Sequence, residues 1–237
     1  MRTRLLILGA ALLTFSPDRP AGGPAADPLP IDVRRLAAGR DSFAILVQGA
    51  QLGFSAFGVE VVGNGRRLTE HSSIAGLVEQ TTTIEIGPDG AVRSVRQAGK
   101  NQGEPTSIEL EYAGGRVRGT ATTVGADGPK TVQIDTTVAA GTLDDNAVQG
   151  LLPALPWAPG ARWTFPVFSG GQNESKLTTL AVAATETVTL PSGPVEAYRV
   201  EWTDGWQPAT FWITTAEPHR VVRLAVANAP VEIVRVR

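Results

Sequence analysis

Two histidines are the natural starting points for acid–base chemistry in this 237-residue chain. His71 sits in Thr69-Glu70-His71-Ser72-Ser73, in a segment that reads as a strand, and His219 follows Glu217-Pro218 in a turn. A general base needs a nucleophile and an orienting acid within hydrogen-bond reach, and neither neighbourhood offers that context. Gly53-Phe54-Ser55-Ala56-Phe57-Gly58 has the wrong spacing for a G-x-S-x-G nucleophile elbow. The histidines are far apart, with no H-x-H or H-E-x-x-H, and the chain has no cysteine, so no zinc site is expected. Asp144-Asp145, beside Asn146, fits paired carboxylates, a calcium loop or a helix N-cap. The EF-hand spacing is absent and capping accounts for the same residues. Gly63-Asn64-Gly65 and Gly170-Gly171 lack the strand–helix setting of a phosphate loop, and Ser169-Gly170-Gly171 reads as a hairpin loop. No catalytic residue, metal ligand or cofactor is assigned.

The aromatic residues are the more suggestive set. Trp157 and Trp163 flank a Pro-Gly break, and Trp202, Trp206, Phe211 and Trp212 crowd one region of the second half. Buried tryptophan is usually core. Gly205 and Pro208 place Trp206 in a loop, where a ligand-facing ring is the alternative. With Phe54 and Phe57 on an early strand, the candidate ligand-binding set is Phe54, Phe57, Trp163, Trp202, Trp206 and Trp212.

The elements that must position them alternate from residue 41 onward. Ser107 to Tyr112 puts Ile108, Leu110 and Tyr112 on one face and Glu109 and Glu111 on the other. Gly87-Pro88-Asp89-Gly90, Ala113-Gly114-Gly115, Ala126-Asp127-Gly128-Pro129 and Leu190-Pro191-Ser192-Gly193-Pro194 are turns. The pattern breaks at 143–155, where an aspartate can cap a short helix whose apolar stripe is Ala147, Val148, Leu151 and Leu152. A meander of this many strands cannot stay flat, because twist accumulates. The expected fold is all-β: a curved antiparallel meander forming a barrel or half-barrel, with one short helix near mid-chain. Residues 41–237 make a single domain, with halves 41–142 and 157–237 joined by the helix, which we expect to lie across the mouth as a lid.

Residues 1–23 read as a signal peptide. Arg2 and Arg4 precede Leu5 to Phe15, an apolar run too short to span a bilayer. Residues 24–40 then form a flexible leader. The expected location is periplasmic or secreted, with nothing spanning the membrane after cleavage. Removing 1–23 leaves 18 basic and 22 acidic residues, a formal charge of −4 without basic clusters, so no nucleic-acid partner is expected.

Three stretches resemble an exported bacterial family known as domain of unknown function 3108. They are Asp145 through Trp163, Val188 through Glu201 with its Leu190-Pro191-Ser192-Gly193-Pro194 hairpin, and Phe211-Trp212-Ile213 followed by Pro218-His219-Arg220-Val221-Val222-Arg223. The resemblance is clearest over the last hundred residues. It implies a curved sheet like the lipoprotein-carrier half-barrels, in an envelope protein with an apolar concavity, and transfers no catalytic set. The resulting expectation is a non-enzymatic binder of a hydrophobic ligand such as a lipid or acyl chain. The alternative is an envelope scaffold that pairs with another envelope protein through an exposed edge strand such as Val231 to Arg237. A histidine-dependent hydrolase is a third, weaker reading.

Overall fold

The computed structural model describes residues 28–237. The expected signal peptide and the first residues of the expected leader lie outside them. Alternation with short turns produces eight strands in the first half: β1 Gly39–Val47, β2 Ala50–Val62, β3 Gly65–Ile74, β4 Val78–Ile86, β5 Val92–Asn101, β6 Glu104–Ala113, β7 Arg116–Gly125 and β8 Gly128–Thr137. A two-residue strand β9 (Leu143–Asp144) leads into helix α1 (Asp145–Leu151) and a 3₁₀ turn over Leu152–Ala154. The second half carries β10 Arg162–Ser169, β11 Glu174–Leu190, β12 Gly193–Thr203, β13 Ala209–Thr214, β14 Val221–Val226 and β15 Val231–Arg235.

All of them form one 15-stranded sheet in the order β8-β7-β6-β5-β4-β3-β2-β1-β15-β14-β13-β12-β11-β10-β9. Each half is a meander of consecutive antiparallel pairs, and only the β9–β10 pair is parallel. The halves join where β1 lies antiparallel to β15, with Phe43 opposite Arg235 and Val47 opposite Val231. Asp41 reinforces that seam by accepting from Arg235 at 2.9 Å and from Arg220 at 3.0 Å. Val231–Arg237 is therefore not an edge. Its strand is flanked by β1 and β14, because the last alternating segment finds a full-length partner at the middle of the sheet. The edges are β8 and β9.

The sheet curls but does not close. Its β9–β10 end is tucked inside, and the last five residues of β10 are buried on both faces. Gly170, just beyond, shows how close the approach is: a Cβ there would stand 2.9 Å from Leu110 Cδ1 on β6. Tyr112 and Phe168 meet edge to face with ring centroids 6.4 Å apart. These are side-chain contacts across the curl, not ladder hydrogen bonds.

The helix is a plug rather than a lid. Ala147, Val148, Leu151 and Leu152 are buried, and Gly150 admits Phe57 and Leu68 so closely that a Cβ would meet them at 2.6 and 2.8 Å. Its polar side does not face water either, since Asn146 accepts from Gln97 on β5 and donates to Asp145. The leader is likewise ordered in its described part. Val33 and Leu36 are 3% exposed, and Asp32 N donates to Ala154 O at 3.1 Å, so these apolar residues close the helix end of the core. A second, smaller core forms on the outer face around Val188, Leu190, Ala197, Trp212 and Val222.

Candidate functional site

The two ends of the interior differ. At one end, Leu68, Ile84, Val95, Leu110, Val117 and Ile213 share one buried core with Ala147, Val148 and Leu151 of the helix. At the other, Ile74, Val78, Asn101, Thr106, Val124, Trp202, Val226 and Val231 surround a cavity of about 550 Å³. That volume lies within the range of about 300–1,000 Å³ usual for small-molecule sites.

The cavity has two unlike walls. β3 to β7 contribute Ser72, Gln80, Gln97, Asn101, Thr106, Thr122 and Thr123, interleaved with Ile74, Val78, Ile108 and Val124. The facing wall, from β1 and β12 to β15, is Ile45, Trp202, Ala209, Leu224, Val226, Val231 and Ile233. Gly171, Gln172 and Gln207 come from the loops at the open end, and no lining residue is charged. Two buried polar atoms on this lining, Asn101 Oδ1 and Trp202 Nε1, have no hydrogen-bond partner among the described residues.

Beneath the polar wall runs a hydrogen-bonded chain. Gln97 Nε2 donates to Thr82 Oγ1 at 3.3 Å and to Asn146 Oδ1 at 3.0 Å. Asn146 Nδ2 donates to Asp144 Oδ1 at 2.8 Å and Asp145 Oδ1 at 3.0 Å, and Tyr112 donates to Asp144 Oδ2 at 2.5 Å. Asp144 caps α1 by accepting from Asn146 N at 2.9 Å, as its position before the helix suggested. Burial raises both carboxyls above the ordinary range. Donors from Tyr112 and Asn146 work against the rise at Asp144, whereas the neighbouring Asp144 charge pushes Asp145 further up. Asp145 is therefore the better proton holder of the two. Burial, then the Asp144 charge, also drives the Tyr112 phenol upward, so it stays a donor. A second carboxylate facing inward, Glu70, accepts from Ser55 at 2.9 Å and from Ser72 at 2.8 Å.

The aromatic residues singled out from the sequence are dispersed, and Trp202 alone of the six lines this cavity. Phe54 is on the outer face, 48% exposed and tilted against His71, because it alternates with the inward Ser55. Phe57 packs under the helix beside Gly150, at a small pocket of about 40 Å³. Trp163 stacks edge-on to Trp157 at 4.9 Å near the helix exit, where Trp157 Nε1 donates to Leu152 O. Trp206 sits in the open-end loop beneath Lys176 Nζ, 5.1 Å from its ring centre. Trp212 faces outward, donating to Glu186 at 2.6 Å under the Arg223 guanidinium, because Phe211 and Ile213 take the inward positions.

The histidines are equally separate. His71 Nδ1 is 3.1 Å from Thr81 Oγ1 on the outer face, and His219, 6% exposed, is 2.8 Å from Thr214 O. Among the described residues no group of three or more His, Cys, Asp or Glu is placed to hold a metal ion. No helix among them is long and apolar enough to cross a membrane.

A solved structure of a β-barrel-like protein of domain of unknown function DUF1849 from Brucella abortus is similar, at 11% identity and a TM-score of 0.49, over 85% of this chain and 95% of that one. No curated protein matches. The family described as protein of unknown function (DUF3108) matches residues 42–233, from β1 into β15. The match thus takes in the first half as well as the stretches of the second half that carried the resemblance. With its matched span running through both meanders and the seam between them, the chain belongs to the DUF3108 family.

Proposed function

We propose that this protein binds a hydrophobic ligand, a lipid or acyl chain, at the open end of its curled sheet, as a carrier or sensor rather than an enzyme. The observation that carries the reading is the cavity of about 550 Å³, whose β1 and β12–β15 wall is apolar throughout. Covering apolar ligand surface there is worth about 25 cal/mol per Å². The apolar run and small residues at the N-terminus support work outside the cytoplasm, in the periplasm or beyond. Native mass spectrometry of protein purified gently from its host, followed by lipid extraction, tests the proposal. The expected result is a stoichiometric apolar ligand that is lost in Ala209→Trp, which fills the cavity from β13. A clean protein mass, with no apolar compound raising the thermal midpoint, overturns it.

The scaffolding alternative now rests on β8, which is exposed along most of its length and is paired only to β7. A photoreactive residue at the exposed Gln133 should then crosslink one envelope protein in cells. The absence of a crosslink removes this alternative.

A further inference from the structure

We propose that the ligand is an uncharged amphiphile whose polar groups are hydroxyls or amides, taken up whole with its head inside the cavity. This rests on the reading of the cavity as a ligand site. The polar lining consists only of serine, threonine, asparagine and glutamine. Of the inward-facing charges, Glu70 is matched by the hydroxyls of Ser55 and Ser72 and Asp144 by Tyr112 and Asn146, while Asp41, matched by Arg220 and Arg235, lies at the helix end. An ionised head drawn into this space meets no counter-charge in the lining, and an unpaired charge is the most costly group to desolvate. The lysines near the open end are not part of the lining: Lys100 stands opposite Glu79 on the β4–β5 ladder, and Lys176 lies over the Trp206 ring.

A neutral head suits the same surroundings. Asn101 Oδ1, an acceptor, and Trp202 Nε1, a donor, are each buried at the lining without a protein partner, and a small turn of either side chain brings them to a polar head. A hydroxyl or primary amide carries both complementary functions. The facing apolar wall then covers the hydrocarbon part, so the two walls match the two halves of one molecule.

The test compares three probes sharing one lauryl-length chain: monolauroylglycerol, laurate and dodecyltrimethylammonium. Their binding to the whole protein is measured below micelle formation, at neutral pH, by calorimetry. Monolauroylglycerol is expected to bind at least about tenfold more tightly than either ion. Gln80→Arg, or Thr123→Arg if the first does not fold, places a cation in the wall and should raise the affinity for laurate relative to both monolauroylglycerol and dodecyltrimethylammonium. If an ionic probe binds as tightly as the neutral one, the inference is overturned and the cavity reading stands. If no probe binds, both fall.

Discussion

The residues that most repay attention are Asp144, Asp145 and Tyr112, and they illustrate how far local sequence reaches. Capping by Asp144 is legible because it is a contact over two residues. Its burial under Tyr112 is not, since that partner comes from β6, 32 positions earlier. Their energetics have a definite sign. Asp145 has a folded-state pKa raised above the ordinary aspartate value of 3.8, so its contribution to stability is complete below that value. The contribution is lost as pH rises towards the folded-state pKa. Asp145→Asn should remove this dependence. Its stability relative to the parent, read from urea midpoints, should rise steadily from acid to neutral pH, and a constant difference would refute the assignment. Tyr112→Phe leaves the buried Asp144 oxygen without its donor and should cost about 1–3 kcal/mol. The tryptophans disperse for a related reason. Composition shows where rings cluster along the chain, but which face each takes depends on strand register. One position of offset separates inward Phe211 from outward Trp212.

At the scale of elements the sequence is far more informative. Strand positions follow from alternation and turn residues. β6 has its inward Ile108, Leu110 and Tyr112 where the pattern placed them. The cavity also leaves a trace there: along the inward face of β6, Thr106 gives way to Ile108, Leu110 and Tyr112, polar at one end and apolar at the other. That gradient, repeated from strand to strand, is the signal that could have found the site. The plug role of α1 was not legible in its composition, because Asp145, Asn146 and Gln149 also fit a water-facing side, and its location required the curl. Because Gly150 lies against Phe57 and Leu68, Gly150→Ala should overpack the interior and destabilise by about 1–3 kcal/mol. Leu151→Ala, opening a hole at the same place, should cost about 2–5 kcal/mol. Denaturant unfolding measures both. Near-neutral values would mean that the helix packs loosely enough to move.

For the whole molecule, fold class and meander order were readable, but the seam was not. Pairing of β1 with β15 joins segments nearly two hundred positions apart, and no local pattern encodes such a partnership. Its consequence is that removing Val231–Arg237 should abolish cooperative folding rather than trim an appendage. Loss of a single sharp transition in circular dichroism is the expected result. A truncated protein that melts like the parent would show that the halves hold together without the seam.

The unjoined ends of the sheet also matter mechanically. In a closed barrel the girth is set by strand number and stagger, and it changes only when ladder bonds break. Here β8 and β9 are not bonded to each other, and the inner turn of the curl is held by rings, methyl groups and side-chain hydrogen bonds such as Tyr112 to Asp144 and Gln97 to Asn146. Such a wall behaves like a rolled sheet of paper rather than a pipe. Its diameter can grow or shrink by slippage of one layer over another with the strand ladders preserved, so the proposed site is expected to take guests of different bulk.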